Sequence, residues 1–181
     1  TNDVDIMKTK LPEACELYSR RSENAKSESS TISFMKEFIQ SVLLNKEFKN
    51  QNIPICCVYP CTPFLLVDHL VNTLNLLIAK PNNFIYPVKR YSHPIQRRIQ
   101  LDSSNMVTFV EPDSVNQRTQ SFSPHYHDAG QFYWAYTEKW LNSSQIHNGA
   151  VAYDLSEEIS VDMDTFNDLF IARALYKGLK E

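Results

Sequence analysis

The chain has 181 residues, 43% hydrophobic and 22% charged, a balance that fits one compact folded domain spanning 1–181. A net charge of -3 with dispersed basic residues gives no pull on a phosphate backbone, which excludes nucleic acid as a partner. The longest apolar runs stop well short of the roughly 20 residues that cross a bilayer, and no signal-peptide layout opens the sequence, so no membrane association and a cytoplasmic location are expected.

In chain order, Thr1 to Asp5 are polar and precede a short segment ending in Pro12, which reads as an element boundary. Glu16 to Ser30 is polar and aperiodic, an exposed loop. Ser30 or Thr31 then caps a predicted helix whose apolar residues Phe34, Met35, Phe38, Ile39, Val42 and Leu43 recur at spacings of three and four, so that face must be buried. Ile53 to Tyr59, bounded by Pro54 and Pro60, has the continuous apolar pattern of a strand covered on both faces, as in a parallel sheet. A helix over Leu66 to Ala79, ended by Lys80 and Pro81, completes a strand, loop and helix unit of α/β type.

Phe84 to Tyr91, Ile95 to Leu101 and Met106 to Val110 read as three shorter strands, with a turn at Ser103, Ser104 and Asn105. Together they suggest an antiparallel excursion from the main sheet. Strands at Gln131 to Tyr136, Ala150 to Tyr153 and Ile159 to Val161 follow, and a helix from about Thr165 to Leu179 closes the chain. The adjacent Cys56 and Cys57 point to opposite faces of a strand and make a poor bridge, so the four cysteines are expected as thiols. A metal reading of Cys57 and Cys61 lacks two further ligands at a recognisable spacing. Gly130, Gly149 and Gly178 are isolated, and no closely spaced glycines supply a phosphate-cradling loop.

Four sets of residues carry possible chemistry. Asp162 and Asp164, two apart in an extended segment, share a face and can present both carboxylates to one Mg²⁺; alternatively Asp164 or Thr165 caps the last helix with Asp168 completing a capping box, and the two roles are compatible. In His125 to Trp134, two histidines and Asp128 leave a transition-metal site underspecified. The segment is either a loop entering an aromatic core strand or a sugar platform, with Phe132 or Tyr133 against a ring face and Gln131 as hydrogen-bond donor. Tyr59 to Phe64 lies just beyond a strand end, where ligands of open α/β sheets bind, although an ordinary turn explains it equally. Arg20, Arg21, Lys26 and Arg118 are either solvated or forks for phosphate or carboxylate.

Taken in this order, the sets resemble the cytidylyltransferases that activate nine-carbon acidic sugars, the CMP-sialic acid synthetase family. Arg21 with Lys26-Ser27-Glu28-Ser29-Ser30-Thr31 resembles the family's arginine-led loop, and Tyr59-Pro60-Cys61-Thr62-Pro63-Phe64 its strand-end motif. Val161-Asp162-Met163-Asp164-Thr165 is similar to its metal motif, and His127 to Trp134 to the signature of the pseudaminic acid branch. Thr1-Asn2-Asp3 looks like the end of the family's Ser-Thr-Asp-Asp strand.

The resemblance implies a three-layer, Rossmann-like nucleotide-diphospho-sugar transferase fold and a homodimer in which residues 84–110 reach across to the partner. It implies CTP and a nonulosonic acid as substrates and Mg²⁺ as cofactor, held by Asp162 and Asp164. Arg21 and Ser30 would lie at the nucleotide, and Tyr59, Gln96, Arg118, Gln131, Phe132 and Tyr133 around the sugar, with Arg118 facing its carboxylate. Tyr59 and Gln96 depart from the glutamine and lysine of sialic acid members, which argues against N-acetylneuraminate as substrate. The family's glycine-rich basic loop, which grips the triphosphate, has no counterpart here, so this chain alone is expected to turn over little, as a fragment or as a protein that has lost that part of its site. The alternatives are a non-catalytic sugar-binding or assembly module of the same fold, or a CMP-N-acetylneuraminate synthetase.

Overall fold

A computed structural model describes residues 5, 12–26, 28–43, 48, 51–155, 161, 163 and 165–179. Seven strands are present among them: β1 (Pro54–Val58), β2 (Ile85–Arg90), β3 (Ile99–Leu101), β4 (Val107–Phe109), β5 (Tyr126–Asp128), β6 (Phe132–Tyr136) and β7 (Val151–Asp154). Four α-helices accompany them: α1 (Thr31–Phe38), α2 (Val67–Ala79), α3 (Thr137–Asn142) and α4 (Phe166–Gly178). The result is a mixed α/β protein. One sheet runs in the order β1-β6-β2-β5 with β7 on β2, and β3 and β4 form a separate two-stranded ribbon. β2 pairs in parallel with β7 from Ile85↔Val151 to Val88↔Asp154, and antiparallel with β5 from Val88↔Asp128 to Arg90↔Tyr126.

The chain divides into two compact units. The first comprises Thr1–Cys57, Leu74–Phe84 and Trp134–Ala150. Its core is Ile32, Met35, Ile39, Leu77, Phe84, Ala135, Trp140 and Ile146. The Ser30 hydroxyl accepts the Ser33 N–H at 3.1 Å, the expected cap, and α1 runs on as a π-helical turn, Ile39–Leu43. The buried stripe of α1 is Ile32, Met35 and Ile39, whereas Phe34 and Phe38 are half-buried and stack with centroids 6.3 Å apart, each also meeting Tyr18.

The second unit comprises Val58–Thr73, Ile85–Tyr133 and Val151–Glu181. Phe64, Ile85, Val88, Ala129, Phe132, Tyr133, Leu155 and Ala172 form its core. Helix α4 starts as expected, with a reciprocal capping box: Thr165 Oγ1 accepts the Asp168 N–H at 3.3 Å, and Asp168 Oδ2 accepts the Thr165 N–H at 2.8 Å.

Three expectations are corrected. The apolar run at β1 is not covered on both faces: β1 ends the sheet among the described residues, its interior is half-buried and Val58 is 45% exposed. Hydrogen bonds from Tyr59 N–H to the Gln131 carbonyl, 2.8 Å, and from Thr137 N–H to the Ile53 carbonyl, 2.9 Å, also run antiparallel rather than parallel. The segment from Phe84 to Tyr91 is the sheet strand β2 and not part of an excursion; only β3 and β4 leave the sheet. Ile95 to Leu101 is not one strand, because the fixed φ of Pro94 opens a 3₁₀ turn, Ile95–Arg97, before β3 begins. The strand predicted at Ile159 to Val161 lies outside the described residues apart from Val161, which is in no strand.

Candidate active site

The arginine-led loop is organised by a residue that sequence periodicity passes over. Glu37 lies on α1 with 6% of its surface exposed, and its carboxylate accepts the Tyr18 hydroxyl at 2.8 Å, the Arg21 backbone N–H at 2.8 Å and the Asn24 amide at 2.5 Å. Burial alone would raise this carboxyl; the hydrogen bonds from Asn24, Arg21 and Tyr18, with the Arg21 charge, outweigh it and hold the group below its ordinary value. The loop bearing Arg21 is thereby pinned to α1, leaving the Arg21 side chain exposed at its surface. Ser30 is exposed too; while its oxygen caps α1, its hydroxyl proton can still be donated.

A stability test follows from the sign of that shift. A carboxylate depressed on folding contributes stability above its unfolded value, about 4.3, and loses it as pH falls through the folded value. Glu37→Gln is expected to cost about 1.5–3 kcal/mol at neutral pH, the worth of a hydrogen-bonded buried charge. In urea titrations the variant's deficit should shrink below pH 4, and a deficit independent of pH would show that the charge is not the source.

In the second unit the strand-end motif and the aromatic strand meet. The bond from Tyr59 N–H to the Gln131 carbonyl joins them, and the Tyr59 and Tyr133 rings lie edge to face at 5.2 Å. Asp128 ends β5 and organises the turn that follows: Oδ1 accepts the Gly130 N–H at 2.9 Å and Oδ2 the Tyr133 hydroxyl at 2.8 Å. Gly130 sits at φ 65°, a conformation that costs an L-residue about 1–2 kcal/mol, which accounts for glycine there. Burial, then the bond to Asp128 and its charge, push the Tyr133 phenol far above its ordinary value; burial and the same charge raise Tyr86, whose ring is 5.7 Å from that of Tyr133. Both phenols stay protonated at working pH, so Tyr133 acts as a hydrogen-bond donor and not as a base.

Gln131, Phe132 and Tyr133 are 1%, 0% and 4% exposed. The Phe132 ring packs in the core of the second unit beside the equally buried Gln131 and Tyr133, as a hydrophobic ring on a strand with both neighbours paired does. Gln96 is half-buried, its Nε2 3.1 Å from His125 Nδ1, and the preceding residue, Ile95, lines a cleft of about 490 Å³. Arg118 is exposed.

Asp162 and Asp164 lie outside the described residues, but their neighbours do not. Met163 and Thr165, on either side of Asp164, line a cleft of about 430 Å³ together with Cys61 of the strand-end motif, Phe166 and Leu169. Two motifs separated by about a hundred residues thus share one cavity. Cys61 holds φ 65°, an unusual conformation for a side-chain-bearing residue. Burial raises the thiols of Cys56 and Cys57 to about 12 and about 11, so both remain protonated and unreactive, and among the described residues no His/Cys/Asp/Glu group of three is placed to hold a metal ion.

The relatives that match the chain are cytidylyltransferases by name. It is 31% identical over 124 residues to "Pseudaminic acid cytidylyltransferase" of Campylobacter jejuni subsp. jejuni serotype O:2, covering 68% of this chain and 53% of that protein. The protein of the same name from serotype O:23/36 is 30% identical over 124 residues, with the same coverage. The chain is thus a homologue of the pseudaminic acid cytidylyltransferases, and it spans about half the length of the curated relatives it matches. No protein-family model matches it.

Proposed function

We propose that the protein is a cytidylyltransferase that joins pseudaminic acid, a nine-carbon acidic sugar, to the CMP moiety of CTP. The anomeric oxygen of the sugar attacks the α-phosphorus, the bond to the bridging oxygen breaks, pyrophosphate leaves with that electron pair, and the hydroxyl proton passes to solvent. The shared cleft of Cys61, Met163 and Thr165 carries this reading, because it brings the strand-end motif to the segment holding Asp162 and Asp164. Two curated relatives bear the name of this activity.

Asp162 and Asp164 are the proposed holders of Mg²⁺. Asp168, the next acid along, is engaged by the Thr165 cap, which leaves the earlier pair as donors of the hard oxygen type that the ion prefers. When bound, the ion neutralises phosphate charge and favours in-line displacement. Arg21 and Ser30 are proposed nucleotide contacts, and Tyr59, Gln96, Arg118, Gln131, Phe132 and Tyr133 the sugar side.

The proposal extends to a three-layer, Rossmann-like arrangement and to a homodimer. The parallel and antiparallel partners of β2 support a mixed sheet of that type, and Ile99, Leu101, Met106 and Val107 on the β3–β4 ribbon, all about half exposed or more, suit an arm that packs on a partner. Among the described residues no helix is long and apolar enough to cross a membrane, and dependence on CTP accords with the cytoplasm. Calorimetry tests the reading. Heat from CTP with Mg²⁺ and from pseudaminic acid is expected, whereas heat from the sugar and none from CTP would assign the protein to a sugar-binding module of the same fold.

A further inference from the structure

We propose that the guanidinium of Arg97 receives the sugar's carboxylate, and that the cleft beside the β3–β4 ribbon is the acid-recognition pocket of this site. The assignment rests on the functional reading above and replaces Arg118, the sequence-based candidate, in that one role. The cleft, about 490 Å³, has a volume suited to a small molecule and is lined by apolar surface from Tyr91, Ile95 and Phe109 and by polar groups from His93, Arg97 and Thr119. Arg118 precedes Thr119 in the chain but does not line it.

Two arginines line the cleft, and they differ in how their charge is met. Arg98 lies 2.5 Å from Glu111 and also donates to the Ile95 carbonyl at 3.1 Å, so its charge is offset within the protein. Arg97 donates from one Nη to the Thr119 hydroxyl at 3.3 Å, and among the described residues no carboxylate lies within ion-pair distance of it. A neutral hydroxyl orients the guanidinium without cancelling its charge. The remaining N–H groups are available for a bidentate bond to a planar carboxylate.

Hydrogen bonds hold the turn that carries Arg97. Its N–H closes the 3₁₀ turn on the Pro94 carbonyl at 3.0 Å, and the buried Ser114 hydroxyl donates to the neighbouring Gln96 carbonyl at 2.7 Å. A charged fork on a braced turn, beside aromatic and aliphatic walls, matches a ligand with one carboxylate and a C–H face.

Pseudaminic acid and its methyl ester, titrated calorimetrically into wild type and into Arg97→Gln and Arg97→Lys, test the assignment. Arg97→Gln is expected to weaken the acid at least tenfold and to leave the ester unchanged, in line with loss of a charge-assisted pair. Arg97→Lys should restore part of the loss, which separates charge recognition from a folding defect. Wild-type affinity for the acid in Arg97→Gln, or equal losses for acid and ester, would overturn the Arg97 role alone. A wild-type protein that takes up no sugar would overturn the functional reading itself.

Discussion

Replacing Trp140 with alanine is expected to lower stability by about 3–5 kcal/mol, the range for deleting a large buried aromatic side chain. Trp140 has no exposed surface, meets Phe84 edge to face at 4.9 Å and donates its indole N–H to the Ile55 carbonyl at 3.4 Å. It stands on α3, only six residues long, which cannot be stable by itself and is held at its start by Thr137: the Thr137 hydroxyl accepts the Ile53 N–H at 3.2 Å and donates to the Ile53 carbonyl at 3.0 Å. Alanine would open a cavity and leave the Ile55 carbonyl without its indole partner. Trp140→Phe keeps most of the packing and should cost less, with the missing hydrogen bond worth about 1 kcal/mol. Urea denaturation with an unchanged m-value measures both, and a loss below 1 kcal/mol for alanine would mean that the surroundings collapse to refill the site.

Asp164→Ala is expected to reduce pyrophosphate release from CTP and sugar by at least about a hundredfold in the complete protein. A metal-bound carboxylate contributes several kcal/mol of charge stabilisation at a transferring phosphoryl group, and each 1.4 kcal/mol is a factor of ten. The neighbouring cap predicts the direction of failure elsewhere. Thr165→Ala breaks the reciprocal bonds with Asp168 and should cost about 1 kcal/mol of stability while keeping most activity. Full activity in Asp164→Ala would reject the metal role of that pair.

Local chemistry was legible where a pattern has one physical meaning. Ser30 before an apolar helix, and Thr165 three residues before Asp168, announced caps that the structure contains with the donors and acceptors expected. The continuous apolar run at β1 suggests double cover because periodicity reports hydrophobicity and not neighbours; whether a strand ends a sheet depends on pairing with β6, about eighty residues away. Glu37 was invisible for a related reason. A carboxylate on a helix is usually solvated, and its burial depends on donors from Tyr18, Arg21 and Asn24 that fold back from a loop without periodicity. A lone acid beside an apolar stripe, preceded by a loop rich in donors, is the only sequence signal it left.

The candidate site divides along the same line. The resemblance drew attention to Tyr59, Gln131 and Tyr133, which the structure joins by a backbone bond and a ring contact. It assigned no role to Asp128 within the His127 to Trp134 signature, although this carboxylate organises the turn and holds the Tyr133 hydroxyl, because turn geometry needs coordinates. Arg97 is likewise hidden inside a predicted strand that the 3₁₀ turn after Pro94 replaces.

The most direct test of the account is product formation by the complete protein supplied with CTP, Mg²⁺ and pseudaminic acid. CMP-pseudaminic acid and pyrophosphate should form in equal amounts, and omission of either substrate should stop both. Binding of the sugar with no nucleotide-linked product, under conditions where the two Campylobacter jejuni relatives form it, would contradict the cytidylyltransferase assignment.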